Sequence, residues 1–121
     1  MAKTILVVDD SDTSRMIATR ALQGAGYKVI EATNGSIALA LLDGRNISMA
    51  VCDFSMPVMD GIEFVKTLRG IPQYKLMPVM MLTVADEPEI LEKGRKAGVN
   101  AWMTKPFSFS ALIEAVDKLC P

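Results

Sequence analysis

Residues 5 to 10 read Ile5-Leu6-Val7-Val8-Asp9-Asp10, four apolar side chains followed by two carboxylates. A short and continuous apolar run of this kind is typical of a strand that is buried on both faces. The pattern recurs at Met49-Ala50-Val51-Cys52-Asp53 and at Ala101-Trp102-Met103-Thr104-Lys105. Because open α/β sheets bind ligands at the carboxyl ends of their strands, we expect the three carboxylates and the lysine to share one crevice.

Strand patterns and helix patterns alternate along the whole chain. The sequence predicts strands at residues 4–9, 28–32, 48–53, 78–83 and 101–104, each followed by a helix. The first helix begins at a cap formed by Ser11 or Asp12, and the third begins at Asp60. The fourth, at residues 87–97, has few apolar residues and an interior glycine, Gly94, so we expect it to be held lightly. The alternation favours an α/β fold with a doubly wound, five-stranded parallel sheet and five helices.

The bulk composition limits the classes of function. The length of 121 residues predicts a single domain over residues 1–121, and no apolar run reaches the roughly 20 residues that cross a bilayer. The N-terminus has no secretory leader pattern, which predicts a cytoplasmic protein without a membrane partner. A net charge of −1 gives no electrostatic reason to bind nucleic acid. There is no histidine and there are two cysteines, so the chemistry is expected to use carboxylates, hydroxyls and lysine.

Three carboxylates in one crevice repel one another unless a cation offsets their charge. A hard divalent cation prefers oxygen ligands, so Mg²⁺ is the predicted cofactor, bound by Asp9, Asp10 and Asp53 together with a loop carbonyl. With Lys105 the charges of such a site sum to about zero. Phosphoryl transfer requires this kind of positioning and charge neutralisation, and Asp53 is the best placed nucleophile. Taken alone, Asp9 and Asp10 also fit the simpler role of helix caps.

Four motifs together resemble the response-regulator receiver domain of bacterial two-component signalling. They are Leu6-Val7-Val8-Asp9-Asp10, Cys52-Asp53-Phe54-Ser55-Met56-Pro57-Val58-Met59-Asp60-Gly61, Leu82-Thr83 and Lys105-Pro106-Phe107. The resemblance covers essentially the whole chain. It implies the flavodoxin-like strand order 2-1-3-4-5, which chemotaxis regulators of this family have.

The resemblance also implies a role for each matching position. Asp53 would accept the phosphoryl group, while Asp10, Asp53 and the backbone carbonyl of Ser55 would bind Mg²⁺ and Asp9 would act through water. Lys105, ahead of a cis bond to Pro106, would pair with the phosphoryl oxygens. Thr83 would hydrogen-bond the same group, and Trp102 occupies the position of an aromatic switch. Trp102 also fits a purely structural role at the sheet edge, and as an indole it needs more room than a phenol to turn inward.

The implied function is a stand-alone signalling switch. A sensor histidine kinase or a phosphotransfer protein would phosphorylate Asp53, and the protein would then bind a downstream partner through helix 4, strand 5 and helix 5. A flagellar motor switch and a phosphorelay protein are the two kinds of output expected, and the chain is not expected to be an enzyme beyond its own phosphorylation and dephosphorylation. Ser55 and Ala85 supply neither carboxylate nor amide to orient a water, so slow loss of the phosphoryl group is expected.

Two other classes of protein fit part of the pattern. A magnesium-dependent phosphatase would also use an aspartyl nucleophile, but such enzymes have a second aspartate where this chain has Ser55. A flavodoxin-like carrier would bind a flavin phosphate at Ser11, Thr13 and Ser14, which the charges of Asp9 and Asp10 oppose.

Overall fold

Five parallel strands form one sheet in the order β2-β1-β3-β4-β5, which is the order that the resemblance to receiver domains implies. The computed structural model describes residues 2–84 and 87–120, so Ala85 lies outside the described residues. The strands are Thr4–Val8 (β1), Lys28–Ala32 (β2), Met49–Asp53 (β3), Val79–Thr83 (β4) and Ala101–Thr104 (β5). The central strands β3 and β4 are buried at every position, which explains their continuous apolar composition.

The helices cover both faces of the sheet. They are Asp12–Gly24 (α1), Gly35–Leu41 (α2), Gly61–Arg69 (α3), Pro88–Ala97 (α4) and Phe109–Leu119 (α5). Residues of α1 and α5 pack with Ile5, Val7, Met49 and Val51 on one face, and residues of α2 and α3 pack with Leu6, Val8, Ala50 and Cys52 on the other. Alternate side chains of each strand therefore supply two separate cores.

Polar side chains fix where four of the helices begin. Ser11 caps α1 by accepting a hydrogen bond of 3.2 Å from the Ser14 amide, and Asp60 caps α3 by accepting one of 2.9 Å from Glu63. Asn34 and Ser108 cap α2 and α5 in the same way. Of the two caps predicted for α1, Ser11 is therefore correct, and Asp12 is the first helical residue.

The observed elements differ from the predicted ones mainly at their ends. Strands β1, β3 and β4 each lack one predicted terminal residue, namely Asp9, Ser48 and Pro78. A short 3₁₀ helix at Pro72–Tyr74, which the sequence analysis did not predict, precedes β4. Neither α4 nor any other helix among the described residues is long and apolar enough to span a membrane.

Candidate functional site

The three predicted carboxylates meet at the carboxyl ends of β1 and β3. Asp9 and Asp10 follow the last residue of β1, and Asp53 is the last residue of β3. The two strands are adjacent and pair Val8 with Cys52, which brings their ends to the same level. One carboxylate oxygen from each aspartate lies within 4.8 Å of the others. Asp9 and Asp53 are buried, at 1% and 6% exposed, whereas Asp10 is exposed.

Lys105 brings a positive charge to the same cluster from the end of β5. Its Nζ atom lies 3.0 Å from Oδ2 of Asp9 and 3.3 Å from Oδ1 of Asp53. The Lys105 amide donates a hydrogen bond of 2.7 Å to the carbonyl of Thr83, and the bond from Lys105 to Pro106 is cis. Burial lowers the pKa of Lys105, but the hydrogen bond and charge of Asp9 and the charge of Asp53 outweigh it, so the pKa is raised overall. Lys105 is therefore held as a cation between two carboxylates.

Asp53 has more negative charge around it than Lys105 offsets. Burial and the charge of Asp9 raise the pKa of Asp53 to about 6, although Lys105 acts in the opposite direction. A carboxylate with this environment is stabilised by additional positive charge. The cluster offers three hard oxygen donors within a small space, which is the donor set that Mg²⁺ prefers. The residues present therefore fit the predicted cation.

The loop after β3 contains a γ-turn centred on Val58 and a close backbone approach at Gly61. The Met59 amide donates to the carbonyl of Pro57 at 2.7 Å, and the intervening Val58 has a φ of 70°, so Pro57 to Met59 form a γ-turn. The Gly61 amide donates to the carbonyl of Phe54 at 2.9 Å, which folds the loop back on the strand. A Cβ at Gly61 would lie 2.9 Å from the carbonyl oxygen of Asp53. Glycine at position 61 is therefore required for the close approach of α3 to the phosphoacceptor candidate.

A cavity of about 360 Å³ opens beside Asp53 and Lys105. Its other lining residues are Phe54, Ser55, Thr83, Val84, Glu87 and Ile90. The structure thus places Ser55 and Thr83, both predicted site residues, around the same space. Val84 is 76% exposed at the rim, while Thr83 is buried.

Trp102 lies beside Phe54, the first residue after β3. The two aromatic rings are tilted by 53°, with 6.2 Å between their centroids. The indole is partly buried against the core that α2 and α3 share, and it also lines an open groove next to α4. Trp102 therefore connects the loop after Asp53 to the surface of α4, a position that suits either a switch or a structural role.

Sequence reasoning missed two side chains at the site. Arg15 donates a hydrogen bond of 2.8 Å to the backbone carbonyl of Asp9, and Glu87 lines the cavity beside Asp53. The spacing of Arg15 from Asp12 on a helix was the available signal, since residues three apart share a face. Glu87, predicted as the first residue of the fourth helix, is its N-cap residue, and no spacing in the sequence relates it to Asp53.

Comparison with known proteins agrees with this geometry. The family model of the response regulator receiver domain matches residues 5–117. The chemotaxis protein CheY-3 of Vibrio cholerae is 36% identical over 116 residues, which are 95% of this chain and 89% of that protein.

Solved structures give the same result. The chemotaxis protein CheY4 of Vibrio cholerae superposes with a TM-score of 0.95 at 37% identity, covering 98% of this chain and 99% of that one. The receiver domain of the sensor histidine kinase PA1611 from Pseudomonas aeruginosa, solved with a magnesium ion coordinated in its active site cleft, has a TM-score of 0.90 at 23% identity, covers 98% of each chain and shares the fold. The protein therefore belongs to the response regulator receiver domain family of two-component signalling, and it is similar to stand-alone chemotaxis receivers.

Proposed function

We propose that this protein is a phosphorylation-dependent switch that accepts a phosphoryl group on Asp53 from the phosphohistidine of a sensor histidine kinase or a phosphotransfer protein. The observation that carries the proposal is the pairing of a buried carboxylate with a cation at the end of a strand. Oδ1 of Asp53 lies 3.3 Å from Nζ of Lys105, beside two more carboxylates and an open cavity.

Asp53 is the nucleophile in the proposed reaction. One of its carboxylate oxygens forms a bond to phosphorus while the bond from phosphorus to the imidazole nitrogen of the donor breaks. The imidazole nitrogen keeps the bonding electron pair, and the acyl phosphate remains on Asp53. Lys105 and the Thr83 hydroxyl stabilise the negative charge on the phosphoryl oxygens, which is the main requirement of such a transfer.

Mg²⁺ is the proposed cofactor, and it would neutralise charge on the carboxylates and on the incoming phosphoryl group. Asp10 and Asp53 would bind it through their carboxylates and Ser55 through its backbone carbonyl. Asp9 is held by Lys105 and by the Ser11 amide, which donates to its Oδ1 at 2.9 Å, so its contact would pass through a water. The cluster of Asp9, Asp10 and Asp53 supports the carboxylate ligands, and the roles of the Ser55 carbonyl and of the bridging water are what the resemblance to receiver domains implies.

The proposed output uses α4, β5 and α5. Phosphorylation would draw Thr83 and its loop toward Asp53, and Trp102 would respond through its contact with Phe54. A groove of about 450 Å³ next to α4, lined partly by Leu91, Val99 and Trp102, provides apolar surface for a downstream protein. A flagellar motor switch and a phosphorelay partner are the two candidates. A cytoplasmic location stays a prediction of the sequence.

The proposal is tested by incubating the protein with Mg²⁺ and a small acyl-phosphate donor and measuring the intact mass. We expect one phosphoryl adduct on the wild-type protein, none on Asp53→Asn, and none when Mg²⁺ is chelated. The exposed Asp43, which pairs with Arg45, gives a matched control, since Asp43→Asn should accept the phosphoryl group like the wild type.

The outcome also separates the alternative functions. An absent adduct, or one that persists in Asp53→Asn, would contradict the proposal. Continuous turnover of a phosphoester substrate would support a phosphatase instead. Loss of the adduct within seconds would contradict the slow dephosphorylation expected from Ser55.

A further inference from the structure

Arg15 makes three polar contacts next to the carboxylate cluster, although it touches none of the cluster's carboxylates. Its Nη1 atom donates to the backbone carbonyl of Asp9 at 2.8 Å, and its Nη2 atom donates to Oδ1 of Asp12 at 2.7 Å. Its Nε atom lies 3.3 Å from a carboxylate oxygen of Glu31 on β2. The Arg15 side chain is only 15% exposed. The guanidinium therefore joins α1, β2 and the end of β1.

The Asp9 carbonyl belongs to the peptide that links the two neighbouring aspartates. A peptide group is planar, so fixing the direction of its oxygen also fixes the nitrogen and the Cα atom of Asp10. Asp10 lies between the end of β1 and the start of α1 and belongs to neither element. Arg15 is thus the side chain that orients the backbone entering Asp10.

The carboxylate of Asp9 is held independently of Arg15. Its Oδ1 atom accepts from the Ser11 amide and its Oδ2 atom accepts from Lys105. Loss of Arg15 would therefore leave the Asp9 side chain in place and release mainly the peptide that carries Asp10. These three contacts suit arginine better than lysine, because a planar guanidinium donates to several acceptors in fixed directions.

We propose that Arg15 is a positioning residue of the magnesium site, holding the peptide between Asp9 and Asp10 so that the Asp10 carboxylate is already directed toward Asp53. The inference rests on the proposed function, because it concerns the affinity of that same site for its cation. Positioning and simple charge predict opposite effects of removing Arg15. Removing a cation near the site reduces repulsion and would tighten Mg²⁺ binding, whereas losing the orientation of Asp10 would weaken it.

The test is calorimetric titration of Mg²⁺ into the full chain, without any phosphodonor. We expect Arg15→Met to raise the Kd for Mg²⁺ by about tenfold, the lower end of what loss of a supporting contact costs at metal sites. Arg15→Lys should recover part of the affinity, because an ammonium can still donate to the Asp9 carbonyl. Arg20→Met, on an exposed position of the same helix, is the matched control and should leave the Kd unchanged.

The same titrations show whether the effect is only structural. Urea unfolding in the presence of a chelator gives the free energy of unfolding of each variant. The Mg²⁺ titration is then done under conditions in which the variant is fully folded, so that the measured Kd is that of the folded protein. A Kd for Arg15→Met equal to or below that of the wild type overturns the inference. Should Arg15→Met not fold, Asp12→Ala removes an acceptor of the guanidinium together with its charge, whereas Asp12→Asn removes the charge and keeps an acceptor oxygen. Equal Kd values for Asp12→Ala and Asp12→Asn overturn the inference equally.

Failure of the inference and failure of the proposed function give different results. If the wild-type protein neither binds Mg²⁺ nor forms the Asp53 adduct, the proposed function is wrong. If the wild type does both and Arg15→Met binds Mg²⁺ with wild-type affinity, only the role of Arg15 is wrong.

Discussion

The indole of Trp102 lies against Gly94, at the point where α4 presents no side chain. A Cβ at position 94 would overlap the six-membered ring of the indole. Gly94 is also the one buried residue of α4, whose ten residues are all described. We therefore predict that Gly94→Ala pushes the indole outward, so that Trp102 emission shifts to longer wavelength and acrylamide quenches it more strongly.

The single tryptophan of the chain makes this prediction simple to measure. Gly24→Ala is the matched control, because a Cβ at that helical glycine would meet no atom within 4 Å. Its emission should equal that of the wild type. If Gly94→Ala also keeps wild-type emission and quenching, the position of the indole does not depend on the absence of a side chain at residue 94.

Gly94 illustrates what could be predicted from the sequence and what could not. An interior glycine in a helix with few apolar residues predicted a lightly held α4, and the structure agrees that little of this helix is buried. The physical reason for the glycine could not be predicted from the sequence, because the glycine makes room for Trp102, which lies on a different element, β5. Long-range contacts of this kind leave no periodic pattern in the sequence.

The carboxylate cluster was more predictable for a physical reason. Asp9, Asp10 and Asp53 end apolar runs, and parallel strands bring such ends to one edge of the sheet. The bridge made by Arg15 was missed because its partners lie on α1, β2 and the end of β1. The 3₁₀ helix at Pro72–Tyr74 was missed because three residues are too few to show a period.

The charge environment of Asp53 predicts a pH-dependent difference in stability between the wild type and Asp53→Asn. Burial and Asp9 raise the pKa of Asp53 to about 6 in the folded, metal-free protein, compared with about 4 in an unfolded chain. As pH rises from 4 to 6, the unfolded state loses this proton before the folded state does. The contribution of Asp53 to stability is therefore present below about pH 4 and is lost as pH rises through about 6.

We expect Asp53→Asn to be more stable than the wild type at pH 7 by about 1–3 kcal/mol, with the difference shrinking toward pH 4. Urea unfolding at several pH values in the presence of chelator measures it. Asp43→Asn serves as the control. The hydrogen bond and the charge of Arg45 lower the pKa of the exposed Asp43 to about 2, so this variant should not gain stability as pH rises. A constant difference for Asp53→Asn across the range would contradict the raised pKa.

We predict that replacing Val58, in the loop after β3, by asparagine stabilises the protein. Its φ of 70° is costly for a β-branched residue, and its side chain is 99% exposed, so the side chain contributes no packing in return. Asparagine tolerates this conformation better, so Val58→Asn should raise the free energy of unfolding by about 1 kcal/mol. Val58→Thr, which keeps the branched Cβ, should remain near the wild type in the same urea titration. Equal stability of all three proteins would show that the turn at Val58 costs nothing.

We predict that replacing Arg69 by methionine lowers the stability of the fold strongly and leaves the metal site intact. Its guanidinium donates to the carbonyls of Met77 at 2.6 Å and Gly98 at 2.7 Å, and to Oδ1 of Asn100 at 3.0 Å. These contacts tie the end of α3 to the loops before β4 and β5. Arg69→Met would leave the carbonyls of Met77 and Gly98 without this donor, whereas Oδ1 of Asn100 would keep the Val79 amide, so we expect the free energy of unfolding to fall by about 3 kcal/mol.

The effect of Arg69 should be confined to stability, because its contacts lie on different segments from Asp9, Asp10 and Asp53. Calorimetry on the folded variant should give a wild-type Kd for Mg²⁺, in contrast to the weaker binding expected of Arg15→Met. Arg95→Met is the matched control for stability. Arg95 is exposed and, among residues 2–84 and 87–120, pairs only with Glu92 on its own helix, so its loss should change the stability little. Equal stabilities of Arg69→Met and Arg95→Met would mean that the partly buried contacts of Arg69 contribute no more than a surface ion pair.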